Sequence, residues 1–330
     1  MDYAKQEVLF DPVYGLAEIS EPVLLELIKS KTMQRTRKVL QHGITGLLGI
    51  TRPTTRFEHS LGVFILVRKL GAGLEEQIAA LLHDVSHTAF SHVIDYVFNG
   101  HDRQSYHEDK QEVFLANSDI PFVLQKHGYD WHNLLHEERY PLLEQPAPAL
   151  CADRLDYFLR DARDLGLATA AQVKNALTHL VVHQRRIAVD DLETAQWLGY
   201  TYIAADQASW ANFREVALYE VTAQAIRTAL KIGVITEADL WGTDEILWDK
   251  IKAYPDPTLQ AQIRLVSPET QFTWDEINPT FRVSTKLRTI DPDVWENGSF
   301  QPLSLMDKHF AEYRTHYLHS RSGSWPIRVI

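Results

Sequence analysis

The sequence predicts a mainly α protein: a helical region followed by a smaller α+β C-terminal part. Three observations carry that expectation. Apolar residues recur at helical spacing from about residue 20 to residue 232. Beyond about residue 255 the texture changes to short β-prone runs, "QIRLV", "PTFRVSTKLRTI" and "SWPIRVI", near turn clusters such as "DPD" and "ENGS". No internal repeat or low-complexity linker marks a sharp division. A soft boundary therefore separates a helical region, 1–235, from a mixed region, 236–330.

The elements follow in order. "SEPVLLELIKSKTMQRTRKVLQHG" reads as a helix capped by Ser20, with Pro22 in its first turn and Gly43 just past its end. "HSLGVFILVRKLG" and "LEEQIAALLHD" read as helices joined through Gly71 and Gly73. Further helices are predicted at "SYHEDKQEVFLAN", "APALCADRLDYFLRDARD", "AAQVKNALTHLVV" and across residues 203–232. "HQRRIAVDD" reads as a short strand or hairpin arm.

Bulk properties narrow the function. A chain of 330 residues, 45% apolar and 23% charged, can bury a sizeable core as one large domain or two ordinary ones. Its formal charge of -11 argues against broad binding to nucleic acid or to an anionic membrane. A small anionic substrate stays open, because a metal and a few arginines can dominate one pocket. Cys151 is the one cysteine, so no disulfide framework exists and a reducing compartment is expected. The N-terminal stretch "MDYAKQEVLFDPVYG" shows no leader pattern, and no apolar run approaches the ~18 residues of a membrane span. A cytoplasmic protein is expected.

Chemistry concentrates in "LLHDVSHTAFSH", where His83-Asp84 ends an apolar run and His87 and His92 follow. Two histidines four apart share a helical face, and Asp84 has the short arm of a metal ligand. Two ligands do not make a site, so a helix end with incidental polar residues and one wall of a charged site both stay open here. Upstream lies "TRFEHSLGV" with His59, and downstream "ADRLDYFLRD" with Asp153.

The order His59, His83-Asp84, Asp153 resembles the HD phosphohydrolase superfamily. "FDPVYG", "QRTRKVLQHG", "TRFEHSLGV", "LLHDVSHTAFSH", "SYHE" and "DRLDYFLRD" further resemble dNTP triphosphohydrolases of the sterile-alpha-motif-and-HD-domain type, over residues 9–164. The resemblance implies an HD-domain helical core and one divalent ion (Fe, Mn, Ni, Zn or Mg) held by His59, His83, Asp84 and Asp153. It implies His87 and His107 flanking the scissile phosphate, His92 contacting phosphate and Asp95 orienting a histidine. Arg56 and Arg154 would neutralise phosphate oxygens, Arg154 standing where relatives often have lysine. Tyr157 and Asp161 would face the sugar, with Gln41 near the sugar or base and His42 where some relatives have a leucine.

The implied activity is metal-dependent hydrolysis of a nucleotide, a dNTP yielding deoxynucleoside and tripolyphosphate. Two alternatives stay open: another phosphoester, such as a nucleoside monophosphate or cyclic nucleotide, and a non-catalytic nucleotide-binding module. His87 and His107 speak for catalysis, since a pure binder needs no leaving-group acid. A homo-oligomer is expected, with no membrane or nucleic-acid partner. Beyond residue 165 the resemblance thins: Arg214 and Tyr219 have no secure register. Arg160 with Asp161 reads equally as a helix-surface pair, and Tyr157 and Phe158 equally as core aromatics. His179, His183, His309, His316 and His319 follow no ligand spacing and read as structural or surface residues.

Overall fold

Thr55 and Glu58 open the helix Arg56–Lys69 by a reciprocal capping box: the Thr55 hydroxyl accepts from the Glu58 N–H, and the Glu58 carboxylate accepts from the Thr55 N–H. This helix packs against Leu74–Leu82 and against Ala152–Asp164. Gly62 allows the second contact, because a Cβ there would sit inside the Asp156 and Arg160 side chains. The computed structural model describes residues 6–330. Residues 1–5, which open the stretch read for a leader, lie outside the described residues.

The fold is mainly α, as expected, with small sheets concentrated in the C-terminal part. A two-stranded hairpin, Glu7–Asp11 with Gly15–Ile19, precedes the helices. A four-stranded sheet runs in the order Leu180–His183, Arg186–Val189, Asp293–Glu296, Ser299–Pro302, its middle pair parallel and the others antiparallel. A three-stranded antiparallel sheet places Trp325–Val329 between Phe272–Trp274 and Phe281–Val283.

Two apolar cores result. The larger joins Leu24, Phe64, Leu81, Phe158 and Tyr202 to Val294 and Phe310. The second joins Ile44, Phe90, Val93 and Ile226 to Trp248, Leu259 and Ile327. Residues beyond 235 thus complete both cores. Among the described residues, no helix is long and apolar enough to cross a membrane.

Three local expectations are corrected. The first predicted helix is split: Pro22–Lys29 ends at Ser30, whose extended backbone and side chain cap a new helix, Lys31–Arg35. Its N-cap is Glu21, not Ser20. "QIRLV" falls mainly in the helix Pro257–Leu265, opened by an Asp256 cap and Pro257 at its first position, a start signal stronger than the β-branched residues behind it. The "LVV" of the helix predicted after Ala170 leaves that helix at Thr178 and pairs as a strand with Arg186–Val189. Pairing with a neighbouring strand overrides the local spacing.

Candidate active site

Asp153 stands in the first turn of Ala152–Asp164, and Tyr157 and Asp161 follow at steps of four on one face. All three line a cavity of about 860 Å³. Asp156 and Arg160, one position before Tyr157 and Asp161, turn underneath it and are buried.

Four of the expected residues converge at the cavity floor, His83, Asp84 and Asp153 lining it and His59 buried just beneath. His59 projects from Arg56–Lys69, and His83 with Asp84 ends Leu74–Leu82. His59 Nε2 lies 2.9 Å from Asp153 Oδ1, 3.5 Å from Asp84 Oδ2 and 3.3 Å from His83 Nε2. His83 Nε2 lies 3.4 Å from Asp153 Oδ1 and 3.6 Å from Asp84 Oδ1. Atoms bonded to one ion at about 2.1 Å stand about 3.0–3.4 Å apart, so these separations are close to the edges of a coordination polyhedron. Both rings are held in orientation by their other nitrogen. His83 Nδ1 bonds the Ala80 carbonyl at 2.8 Å and His59 Nδ1 bonds Asp156 Oδ2 at 2.7 Å, which leaves each Nε2 directed at the shared point.

The electrostatics agree with a cation there. Burial opposes charge on His59, yet Asp153, Asp156 and Asp84 around it raise its pKa to about 10. Burial likewise opposes charge on Asp84, but the Arg56 guanidinium at 2.7 Å, with His83 and His87, holds its carboxyl well below the usual range. The donor set therefore fits a divalent ion.

Beside this cluster stand three more histidines. His87 and His107 stack with ring centres 3.6 Å apart, and His92 meets His87 edge-on at 5.1 Å. His87 Nε2 is 3.3 Å from Asp84 Oδ1. His92 Nδ1 is 3.0 Å from Asp95 Oδ2, while the other Asp95 oxygen accepts the Tyr106 N–H. His107 Nδ1 is buried with no partner among the described residues. Burial lowers the pKa of all three rings well below the ordinary value; Arg56 adds to the effect at His87 and His92, and His87 adds to it at His107.

A strained turn presents His92. Phe90 and Ser91 both adopt positive φ, 62° and 49°. The turn is held by Asp244 Oδ1 accepting the Phe90 N–H, and by Ser91 Oγ, which donates to the Leu40 carbonyl and accepts from Arg56 Nε. Such conformations cost about 1–3 kcal/mol each and persist where the surroundings over-determine them. Gly43 is required alongside, since a Cβ there would strike the Phe90 carbonyl.

The remaining expected residues also reach the cavity, several with partners the sequence did not suggest. Arg56 is committed to Asp84, and Arg154 to Glu144 and the Ala149 and Gln145 carbonyls. Gln41 keeps a buried, unpartnered Oε1. His42 Nε2 meets Asp161 Oδ1 at 3.0 Å, and Trp210 Nε1 donates to Asp161 Oδ2 at 2.6 Å. Tyr157 and Tyr202 share a hydrogen bond between their hydroxyls. Tyr219 lines the cavity and donates to the His42 carbonyl, whereas Arg214 is outside it, bonded to the Pro268 carbonyl. Arg160 is no surface residue: it pairs with Asp156 and Asp11 in the interior.

Sequence reasoning missed Asp156, Trp210, Tyr202, Lys286 and Arg288. Asp156 was legible as a second acid three residues after Asp153. Trp210 stands on a π-turn, Asp206–Trp210, which no spacing rule anticipates. Lys286 and Arg288 belong to "PTFRVSTKLRTI", whose strand stops at Val283 and whose remainder crosses to the cavity.

Comparison with known proteins decides the family. The model of the HD domain matches residues 56–161, the segment that carries the whole His/Asp cluster. The metal-dependent phosphohydrolase cns2 of Cordyceps militaris is 38% identical over 321 residues, spanning 94% of this chain and 92% of its own. The chain belongs to the HD-domain metal-dependent phosphohydrolases. The uncharacterized protein YdhJ of Bacillus subtilis is 41% identical over 286 residues, 86% of this chain and 87% of its own. More distant is the deoxynucleoside triphosphate triphosphohydrolase SAMHD1 of Gallus gallus, 29% identical over 211 residues, 49% of this chain and 34% of its own. A solved hypothetical protein from Aquifex aeolicus shares the fold of this HD phosphohydrolase, with a TM-score of 0.71 at 19% identity over 96% and 99% of the two chains.

Proposed function

We propose that this HD phosphohydrolase acts on a nucleotide, hydrolysing a deoxynucleoside triphosphate to deoxynucleoside and tripolyphosphate. One observation carries the reading. A single cavity is lined by His83, Asp84 and Asp153, with His59 buried behind them against Asp153 and His83, by the three histidines beside that cluster, and by an aromatic and carboxylate end formed by Tyr157, Tyr202, Trp210, Tyr219 and Asp161. A phosphate, a leaving oxygen and a planar sugar–base unit each find a matching wall, and about 860 Å³ is room enough for all three.

In this reading His59, His83, Asp84 and Asp153 hold the divalent ion. When bound, the ion supplies Lewis-acid polarisation of the phosphoryl group and acidifies water. Asp156 fixes the His59 ring and Arg56 keeps Asp84 ionised. His87 and His107 face the scissile phosphate. Burial keeps them neutral, while an anionic phosphate beside them works the opposite way and favours their protonation, which provides the proton for the leaving oxygen. Water adds to phosphorus, the bond to the ester oxygen breaks, and that oxygen leaves as a hydroxyl. His92, steadied by Asp95, binds phosphate oxygen. Arg154, Lys286 and Arg288 add positive charge, and Gln41, His42, Tyr157 and Asp161 hold the sugar end.

A second reading, a nucleoside monophosphate or cyclic nucleotide, is favoured by the commitment of Arg154 to Glu144, which leaves fewer free cations for a long phosphate chain. Incubating the purified protein with several divalent metals and a nucleotide panel separates the two. Tripolyphosphate and nucleoside in equal amounts support the first; orthophosphate and nucleoside from monophosphates alone, or a monophosphate from a cyclic nucleotide, support the second. Absence of turnover with every nucleotide would overturn both.

A cytoplasmic location and a homo-oligomeric state belong to the same proposal. The second draws support from Val8, Phe10 and Leu16, which leave the N-terminal hairpin 56%, 75% and 68% exposed. Light scattering of the eluting protein tests it: a monomer mass would remove it.

A further inference from the structure

A second cavity, about 590 Å³, lies behind the histidine wall and shares no lining residue with the first. The segment Tyr106–Ala116 divides the two. His107, Glu108 and Gln111 face the catalytic cavity, whereas Tyr106, Lys110, Val113 and Phe114 face the second. Arg35 and Trp241 complete its inner side and Lys31 stands at its rim.

The chemistry of this lining is unbalanced in a specific way. Tyr106, Phe114 and Trp241 make an aromatic surface, with Phe114 and Trp241 centres 5.1 Å apart and Tyr106 and Trp241 centres 6.3 Å apart. Three cations, Lys31, Arg35 and Lys110, stand against one carboxylate, Glu237. Among the described residues neither lysine has an ion-pair partner, and Arg35 bonds carbonyls only: Trp241 and Gly242 through Nη1, Val85 and His87 through Nη2. Its Nε has no hydrogen-bond partner among the described residues. Burial lowers the Arg35 pKa to about 10, with the nearby Asp244 carboxyl offsetting part of that effect. Val113, 66% exposed, adds apolar surface at the mouth.

We infer that this cavity is a binding site for a small aromatic anion, its ring stacked on Trp241 and Phe114 and its acidic group neutralised by Lys31, Lys110 and Arg35. The volume falls within the range of about 300–1,000 Å³ typical of small-molecule sites. Cations beside aromatic rings suit a planar anion better than a neutral ring or a bare inorganic ion, because each half of the ligand is matched. The ligand would rest on the groups that position the catalytic histidines: Arg35 holds the His87 carbonyl, and the Tyr106 N–H holds Asp95, the partner of His92.

Isothermal titration with 2-naphthalenesulfonate, which has no phosphoester to hydrolyse, tests the inference independently of any nucleotide activity. The wild-type protein should bind it, and the neutral isostere 2-naphthalenemethanol and inorganic sulfate should each bind at least about tenfold more weakly. The Lys31→Glu/Lys110→Glu double variant, altered only at exposed side chains, should weaken binding by about tenfold or more. Asp84→Ala, in the other cavity, should bind like wild type. Absence of binding to wild type, equal binding of the neutral isostere, or a double variant indistinguishable from wild type would overturn the inference; the last would place the probe elsewhere.

Discussion

His59 Nδ1 lies 2.7 Å from Asp156 Oδ2, beneath the cavity, and this contact sets which nitrogen of His59 faces the proposed metal position. Asp156 is itself held by Arg160, whose other contact is Asp11 of the N-terminal hairpin. The hairpin is thereby tied to the site through three buried side chains.

Asp156→Asn should weaken metal affinity by about 10- to 100-fold, the usual scale for losing an outer partner of a ligating histidine. The asparagine keeps the volume and one acceptor, so the fold should survive, as thermal melting would confirm. Competition with a chromophoric chelator measures the affinity. An unchanged affinity would show that Asp156 only fills space.

His87→Ala and His107→Ala should retain metal and lose about 10²-fold or more in rate. Metal content and turnover of each variant on the best substrate separate the two roles. Wild-type turnover in both would remove their proposed acid function.

Much of this site was legible in the chain. The four-residue cluster was named through the resemblance of the quoted motifs, and the helices then set the direction of its side chains, with His59, His83 and Asp153 each near the start or end of one. What escaped depends on contacts between distant segments. Lys286 and Arg288 reach the cavity because the chain after Val283 leaves its sheet, and Trp210 because a helix widens by one π-turn. "QIRLV" failed for a local reason: the Asp256 cap and Pro257 started a helix that β-branched residues could not refuse.

Asp244 connects the two halves of the site, accepting the Leu40 and Phe90 N–H groups. Burial raises its pKa to about 6, against the backbone hydrogen bonds that lower it. A carboxyl whose folded pKa is raised stabilises the fold fully below its unfolded pKa and loses that contribution as pH rises through the folded value. The stability difference between wild type and Asp244→Asn should therefore shrink by up to about 3 kcal/mol between pH 4 and pH 7. Urea unfolding at four or five pH values measures it. A difference that is flat with pH, or grows, would contradict the assignment.

His42 is bonded to Asp161 at 3.0 Å, so its ring steadies a carboxylate at the proposed sugar end. His42→Leu should leave Asp161 Oδ1 without its partner, Trp210 Nε1 alone holding the carboxylate, and raise KM for every nucleotide by about tenfold, following the penalty for a lost buried hydrogen bond. A hydroxyl-binding role would instead change the ratio of kcat/KM for matched ribo- and deoxyribonucleotides. A variant with unchanged KM and unchanged ratio would show that His42 serves neither purpose.

His59, His83, Asp84 and Asp153 are proposed to hold together one divalent ion on which phosphoester hydrolysis depends. Elemental analysis of purified wild type and Asp84→Ala, paired with turnover before and after chelation, addresses this proposal most directly. Wild type should carry close to one equivalent of metal and Asp84→Ala only background metal, and activity should be lost on chelation and restored by metal in wild type alone. Equal metal content in the two proteins, or turnover indifferent to chelation, would contradict it.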